Sequence, residues 1–421
     1  FMDLIETFGA KIGALSEEKP QRARQLLTAG FRANGVKNKL ASKRSSKSDR
    51  MLFQLVNRAM VTCLAKPQSN VMVSLFTPCE MLHLQGLHPY SCEGFSSYLS
   101  GAMAEQPFLH QAEDTGIPNS LCSYHKVFIG AAQMGLMPKP RFILSTSLAC
   151  DANTLTFRHL AQFYDVPHFN VDIPFESSPQ AVDDVAGQLR QMGEFLTQQT
   201  GLPLDDGQLA RTVARSQRTM ALYHRGLRLR AGRQVLSDLT SELLRTAAFH
   251  FLLGTPETEA YARQLLREIT TAPPAQGKQL LWIHTTPYWV APLRHLFAQS
   301  TRVQVAACDM SYEGIVEADP TKPYEAMARR LVYSPFNGPA QRRIDRALEM
   351  AKTVGADGAV WFCHWGCKHT LGGARLGKKA LEEAGLPTLL LDGDSCDRGF
   401  GGEGQAATRM EAFLEVLEGM A

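Results

Sequence analysis

Short apolar segments alternate with helix-forming segments in both halves of this chain, and this alternation limits the fold more than any other feature. Apolar residues recur at helical spacing in residues 95–103 and 155–164, between strand-like runs. Strands that alternate with helices are typical of parallel, doubly wound sheets. The sequence therefore predicts an α/β protein with one such sheet in each half. The strand-like runs are residues 71–76, 142–144, 167–171, 280–284, 303–307, 359–362 and 388–391.

A long helical stretch separates the two halves. Pro179 suits the first turn of a helix, and helix-compatible sequence continues to about residue 253. Residues 37–50 are rich in Lys, Arg and Ser and lack apolar periodicity, which indicates a solvated linker. The 421 residues fit two or three domains. We predict four units: an N-terminal helical segment with a basic linker (1–69), a first α/β domain (70–177), a helical insert (178–275) and a second α/β domain (276–421).

Composition places the chain among ordinary globular proteins, with 44% hydrophobic and 20% charged residues. A net charge of +3 is small for this length and predicts no nucleic-acid partner. The sequence has no apolar run of the roughly 18 residues that a membrane span needs. The first ten residues lack the basic and long apolar regions of a signal peptide. We therefore expect a cytoplasmic protein without a membrane partner.

Nine cysteines in a chain of this size do not form a disulfide framework, which belongs to short secreted chains. Cys79 follows the first predicted strand, Cys122 follows a turn-like Gly-Ile-Pro, and Cys363 ends a predicted strand in the second half. Ligands of open parallel sheets gather beyond the carboxyl ends of the strands. Cysteines from both halves are thus expected at one cleft, where thiolates can hold an iron–sulfur cluster.

Spacing alone leaves other assignments open. Residues 363–369 contain two Cys and two His, a ligand set that also suits zinc. Cys367 is a second candidate for the ligand in this segment, and Cys150 is a reserve ligand. Three other cysteines fit well as buried inert thiols. These are Cys63, Cys92 and Cys308.

Five segments carry a resemblance to a known family. In order and spacing they resemble the 2-hydroxyacyl-CoA dehydratase D-component family, whose superfamily includes benzoyl-CoA reductase subunits and double-cubane cluster proteins. The resemblance extends from about residue 71 to the end of the chain. The segments are residues 77–80 (TPCE), 114–126 (DTGIPNSLCSYHK), 148–151 (LACD), 362–368 (FCHWGCK) and 393–398 (GDSCDR).

This resemblance implies two Rossmann-like domains and a [4Fe–4S] cluster held by three cysteines. Cys79 and Cys122 match the first two ligands, and the third is Cys363, with Cys367 as the alternative. A bridged double-cubane cluster is the alternative cofactor. Three thiolates leave one iron without a cysteine ligand.

The resemblance also implies a function and partners. The chain would be the iron–sulfur subunit of a radical dehydratase that eliminates water from an (R)-2-hydroxyacyl-CoA. A paralogous subunit and an ATP-dependent activator that delivers one electron would be its partners, and the acyl-CoA its substrate. The absence of a GxxxxGK[ST] loop fits a separate ATPase. The alternatives are a benzoyl-CoA reductase-type or double-cubane reductase subunit and a non-catalytic electron-transfer or cluster scaffold.

Two polar residues next to the expected ligands are the candidate catalytic groups. Glu80 follows Cys79, and His125 lies three residues after Cys122. A carboxylate or an imidazole in this position can move protons during the reaction. A helix cap or a satisfied buried polar group explains each residue equally well.

Overall fold

A computed structural model describes residues 2–40, 45–312 and 317–420 of the protein. The predicted α/β class is confirmed: two separate four-stranded sheets lie among helices, and each pair of neighbouring strands runs parallel. The first sheet contains β1 (Asn70–Val73), β2 (His88–Ser91), β3 (Phe142–Thr146) and β4 (His168–Val171). The second sheet contains β5 (Lys278–Ile283), β6 (Val303–Cys308), β7 (Gly358–His364) and β8 (Thr388–Gly393).

Helices precede, separate and follow the two sheets. In the first part of the chain they are α1 (Met2–Glu18), α2 (Pro20–Leu40), α3 (Lys47–Ala65), α4 (Glu80–Leu84), α5 (Cys92–Gly101), α6 (Gln106–Asp114), α7 (Ser123–Gln133) and α8 (Asp151–Tyr164). Between the sheets they are α9 (Pro179–Thr200), α10 (Asp206–Leu229), α11 (Leu239–Phe251) and α12 (Pro256–Thr271). In the last part they are α13 (Ala291–Phe297), α14 (Pro323–Val332), α15 (Ala340–Val354), α16 (Lys368–Glu383) and α17 (Glu403–Gly419).

Both sheets have the same strand order. The first strand of each set lies in the interior, so the orders are β2-β1-β3-β4 and β6-β5-β7-β8. The chain leaves β1 toward one edge to form β2, and it leaves β3 toward the other edge to form β4. A crevice opens at the carboxyl ends of two strands whose connections diverge in this way. Each sheet thus has one such switch point, between β1 and β3 and between β5 and β7.

The basic N-terminal stretch is more helical than its sequence predicted. Helix α2 continues through Lys37 and Lys39, and α3 begins at Lys47, where Ser46 caps it by accepting a hydrogen bond from the Asp49 backbone N–H. Residues 41–44 of the predicted linker lie outside the described residues. Lys and Arg are good helix formers, so a lack of apolar periodicity does not by itself indicate a loop.

Helices α9 to α12 follow one another between the two sheets, in the region where the sequence predicts a helical insert. Ser178 caps α9, and Pro179 occupies its first turn. Helix α9 packs against α14 of the second half, and α10 packs against α12, α14 and the short helix α4 of the first half. The insert therefore connects the two halves, although the boundaries of the four units remain a prediction.

Glu80 contributes to this connection. Its carboxylate accepts two hydrogen bonds from Arg330 of α14, at 2.7 and 3.0 Å, and one from Ser216 of α10, at 2.9 Å. One buried side chain thus joins three helices that are distant in sequence.

Among the described residues, no helix combines the length and the apolar character that crossing a membrane requires.

Candidate functional site

A cavity of about 120 Å³ lies where the two switch points face each other. The segments that follow four strands form its wall: Leu75 after β1, Cys150 after β3, His284 after β5 and Cys367 after β7. Helices α3, α5 and α11 add further apolar side chains to the wall. The cleft expected at the carboxyl ends of strands from both halves is therefore present, and segments from both halves line it.

Three cysteines line this cavity, and each is the N-cap of a helix. Cys122 precedes α7, Cys150 precedes α8 and Cys367 precedes α16. A helix N-terminus carries partial positive charge, which favours thiolates. Without a metal, burial raises the pKa of all three thiols, that of Cys150 to about 12. Charge on Cys367 or Cys150 raises the pKa of Cys122 further, so the three groups lie within electrostatic reach of one another.

Backbone N–H groups at these helix starts oppose the effect of burial. The backbone N–H of Tyr124 lowers the pKa of Cys122. Those of Asn153 and Ala152 lower the pKa of Cys150. Those of Thr370 and His369 lower the pKa of Cys367. None of the three thiols makes a side-chain capping hydrogen bond, but each has one or two backbone N–H groups nearby that favour its deprotonated form, the form that binds a metal. The local fold prepares all three positions in the same way.

Glycine at position 366 permits the second half to approach Cys122. Gly366 has φ +77°, and a Cβ atom placed on it would lie 2.7 Å from the backbone N of Cys122. A side chain here would collide with the backbone of the first half, and it would also be strained by the left-handed conformation. The close approach of these two loops brings Cys367 and Cys122 to the same cavity.

Cys79 and Cys363, both expected as ligands, lie outside the cavity lining. Cys79 is the N-cap of α4, six residues beyond the end of β1, and its Sγ lies 3.3 Å from the carbonyl oxygen of Thr77. The charges that affect its pKa belong to Glu80 and Arg330, and burial raises that pKa well above the usual range. The loop after β1 therefore turns this thiol toward α14.

Cys363 points away from the cavity because side chains alternate along a strand. Its neighbour His364 lines the cavity, whereas the pKa of Cys363 responds, after burial, to Asp392 of β8 and Arg409 of α17. The second half therefore contributes Cys367 rather than Cys363 to the group of three thiols. The same alternation separates Cys363 from the other side chains of the possible zinc set.

The thiols do not converge on one point. Within residues 2–40, 45–312 and 317–420, no group of three or more His, Cys, Asp or Glu side chains is arranged to hold a single metal ion. A [4Fe–4S] cluster makes a different demand, because each cysteine binds a separate iron. Three cysteines that line one cavity, each at a helix N-terminus, are a suitable donor set for such a cluster.

Four histidines also line the cavity, and burial lowers the pKa of each. The pKa of His125 and of His369 falls to about 4, that of His284 falls well below its usual value, and that of His364 is also lowered. All four rings are therefore neutral at pH 7. Each then offers one N–H donor and one acceptor nitrogen.

Arg343 determines which nitrogen carries the proton in two of these rings. Its guanidinium reaches Nδ1 of His284 at 3.4 Å and Nδ1 of His369 at 3.3 Å. Arginine has only donors, so both Nδ1 atoms are acceptors and the protons lie on Nε2. His369 donates this proton to the carbonyl oxygen of Phe336, at 3.3 Å. Nε2 of His284 makes no hydrogen bond within the described part of the chain, so it can donate its proton to a bound molecule.

Asp309 holds Arg343 in place. Oδ2 of Asp309 accepts from Nε of Arg343 at 2.8 Å, and Oδ1 accepts from the backbone N–H of His284 at 2.7 Å. Both charged residues are buried, so each satisfies the other. His284 has φ +82°, an uncommon conformation for a residue with a side chain, and the Asp309 bond fixes it there.

The catalytic candidates from the sequence occupy different positions. His125 lines the cavity, and its Nδ1 lies 3.7 Å from Sγ of Cys92. Glu80 does not line it; burial would raise the pKa of Glu80, but Arg330 lowers it below its usual value. A carboxylate held in a buried ion pair joins helices and is not available to a substrate.

Glu93 is the carboxylic acid that lines the cavity, and the sequence did not indicate it. Burial raises the pKa of Glu93 to about 7, although hydrogen bonds from its own backbone N–H and from Ser91 lower it. Its Oε2 is buried and has no hydrogen-bond partner in the described part of the chain. Glu93 follows β2, a strand absent from the prediction, so its position at a carboxyl end could not be recognised.

Comparison with known proteins assigns the chain to a family. The sequence model of the family described as 2-hydroxyglutaryl-CoA dehydratase, D-component matches residues 74–417. The (R)-phenyllactyl-CoA dehydratase alpha subunit of Clostridium sporogenes is 21% identical over 337 residues, which cover 74% of this chain and 80% of that relative. The family match includes every cavity-lining residue except Val56 and Met60. The resemblance seen in the sequence is confirmed, and the chain belongs to the 2-hydroxyglutaryl-CoA dehydratase D-component family.

Proposed function

We propose that this chain is the iron–sulfur subunit of a dehydratase that eliminates water from an (R)-2-hydroxyacyl-CoA. The observation that carries the proposal is the group of three thiols, one buried and two half-buried, each at a helix N-terminus, on one cavity between the two switch points. Membership of the D-component family and the similarity to a dehydratase alpha subunit support the reaction type.

The proposed cluster ligands are Cys122, Cys150 and Cys367. This set keeps Cys122, takes the alternative Cys367 in place of Cys363, and replaces Cys79 with the reserve residue Cys150. The two replaced thiols lie outside the cavity lining, next to other charged partners. A bound [4Fe–4S] cluster supplies one-electron redox chemistry at low potential, with one iron free of cysteine.

Glu93 is the proposed proton-transfer group, in place of Glu80. Eliminating water from a 2-hydroxyacyl group moves a proton from the carbon next to the hydroxyl-bearing carbon and gives one to the departing oxygen. A carboxyl group whose pKa lies near 7 exchanges protons efficiently at neutral pH. The Glu93 side chain lines the same cavity as the three thiols, and its buried Oε2 has no hydrogen-bond partner among the described residues. His125, with an unpaired Nε2 in the described residues, is the second candidate.

His284 is the proposed donor to an acyl oxygen. Its neutral ring holds the proton on Nε2, and the charge of Arg343 lowers the pKa of the ring further after burial. A neutral donor in an apolar enclosure can stabilise developing negative charge on oxygen without exchanging its own proton. The apolar wall formed by Leu75, Phe76 and Phe251 excludes water from this oxygen.

The proposed partners are a paralogous subunit, an ATP-dependent activator and an acyl-CoA substrate, and the proposed location is the cytoplasm. The relative's name as an alpha subunit supports a second subunit. The sequence has no GxxxxGK[ST] loop for ATP, which supports a separate protein as the ATP-dependent activator.

Cluster loading tests the ligand set. After anaerobic reconstitution, we expect about four iron and four sulfide per chain. Alanine at Cys122, Cys150 or Cys367 should remove most of this iron, whereas Cys79→Ala, Cys363→Ala and the control Cys63→Ala should keep it. A colourless protein that contains zinc would refute the cluster, and a bridged double cubane would show about twice the iron.

Turnover tests the reaction. The chain is assayed with its paralogous subunit, activator and ATP on a panel of 2-hydroxyacyl-CoAs, and an enoyl-CoA product is expected. Reduction of an acyl-CoA without loss of water would instead assign the chain to the reductase branch of the superfamily. Glu93→Gln should lose most of the turnover while retaining the cluster.

A further inference from the structure

His364 lies at the end of β7, in contact with one of the proposed cluster ligands from the other half of the molecule. The side chain is 1% exposed and lines the cavity. Nε2 of His364 lies 3.2 Å from Sγ of Cys122. The bond therefore crosses from the second sheet to the N-terminus of α7.

The opposite nitrogen determines the direction of this bond. The backbone N–H of Ser395 donates to Nδ1 of His364, at 3.1 Å. A nitrogen that accepts a hydrogen bond carries no proton, so the proton of the neutral ring is on Nε2. The ring therefore donates to the sulfur, and the sulfur is the acceptor.

Asp394 keeps the Ser395 N–H in place. Oδ1 of Asp394 accepts from the backbone N–H groups of Cys396 and Asp397, each at 2.7 Å, and from the hydroxyl of Ser123, at 2.6 Å. These bonds form the turn after β8 and join it to the first turn of α7. The same carboxylate thus fixes both ends of the arrangement, the donor to His364 and the helix that Cys122 caps.

We propose that His364 is a positioning residue that donates an N–H···S hydrogen bond to Cys122 and so raises the reduction potential of the cluster. This inference rests on the proposed function, in which Cys122 is a ligand. Reduction adds negative charge to the cluster and its thiolates. A donor to a ligand sulfur stabilises the reduced state more than the oxidised state, and hydrogen bonds to the sulfurs are among the terms that set cluster potentials.

Two variants separate the hydrogen bond from the volume of the ring. His364→Leu removes the donor, whereas His364→Gln retains an N–H at nearly the position of Nε2. His369→Leu is the matched control, because that ring faces the same cavity but its Nε2 donates to the carbonyl oxygen of Phe336. All proteins are the full chain, reconstituted anaerobically, with iron and sulfide determined before each measurement.

The reduction potential is measured by a redox titration followed by electron paramagnetic resonance. His364→Leu should lower the equilibrium constant for reduction about tenfold, which is 59 mV for a one-electron couple. His364→Gln should recover most of this loss, and His369→Leu should remain close to the wild type. An unchanged potential in His364→Leu, or equal losses in the Leu and Gln variants, would overturn the inference.

A second measurement needs no cluster. Nitrogen NMR of the apoprotein with ¹⁵N-labelled histidine reports which ring nitrogen is protonated, and we expect the His364 proton on Nε2. A proton on Nδ1 would overturn the inference even if the cluster loads normally. Failure of the wild type to load iron and sulfide would instead refute the proposed function, so the two failures are distinguishable.

Discussion

Replacing Glu93 with Gln should change the pH dependence of stability in a direction set by the buried carboxyl group. The folded chain holds this group with a pKa of about 7, whereas an ordinary glutamate has a pKa of 4.5. Between these two values the unfolded chain has lost the proton and the folded chain retains it. Stability therefore falls as pH rises through this window, because the folded state binds more protons.

The difference of about 2.5 pKa units corresponds to about 3 kcal/mol, at 1.36 kcal/mol for each unit. Gln carries no titrating proton, so the variant lacks this contribution at every pH. The free energy of unfolding of the wild type, minus that of Glu93→Gln, should fall by up to about 3 kcal/mol from pH 4.5 to pH 7. Above pH 7 the difference should stay constant.

Urea unfolding of the cluster-free protein, followed by circular dichroism under reducing conditions, measures this difference. Glu80→Gln is a control with the opposite sign, because the ion pair with Arg330 lowers the pKa of Glu80. Its stabilising contribution is present above the unfolded pKa and is lost as pH falls through the folded pKa. A wild-type-minus-Glu93→Gln difference that is independent of pH would show that water reaches this carboxyl group, and the proton-transfer role would lose its basis.

Two further substitutions test how the cavity is built. Gly366→Ala should destabilise the chain by about 1–3 kcal/mol, because its Cβ would lie 2.7 Å from the Cys122 backbone N in a left-handed conformation. Gly372→Ala, in an open position within α16, is the control and should be neutral or stabilising. Urea unfolding measures the stability of both variants. Arg343→Met should cost about 3–5 kcal/mol, because it removes the buried charge that pairs with Asp309. A loss below 1 kcal/mol in the same assay would contradict that pairing.

Sequence patterns predicted the strands that are apolar and missed the one that is not. β1 and β7 are mostly apolar, apart from Asn70 and His364 at their ends, and are buried along their length, as strands covered on both faces should be. β2, with the sequence His-Pro-Tyr-Ser, has neither apolar character nor alternation. It forms because it pairs in parallel with β1, a tertiary interaction that local composition does not express. Missing β2 also concealed Glu93.

The choice among the cysteines depended on information that is not local. Cys363 lies within β7, where the phase of the strand turns it away from the cavity, whereas Cys367 lies three residues beyond the strand at the N-cap of α16. Cys79 follows β1 in sequence, but its neighbour Glu80 forms an ion pair with Arg330, which lies 250 residues further along the chain. This ion pair fixes the position of the loop that carries Cys79. His284 acquires its role through Arg343, again from a distant helix. Pairings of this kind cannot be read from spacing.

Burial disfavours negative charge in the cavity, and the groups that counteract this effect are mainly dipoles rather than cations. Burial raises the pKa of all three thiols. Burial also keeps the four histidines neutral, so none of their rings supplies a positive charge at pH 7. What opposes the buried charge is a set of oriented N–H groups: three helix N-termini, backbone donors beside each thiol, and the ring of His364. Arg343, already paired with Asp309, is the one guanidinium whose charge lowers the pKa of Cys367 in the described structure. Fixed dipoles need no reorganisation when an electron arrives, whereas mobile charges and water do. An enclosure with this composition suits a group that gains and loses one electron, and it explains why the three thiols occur at helix starts rather than within strands.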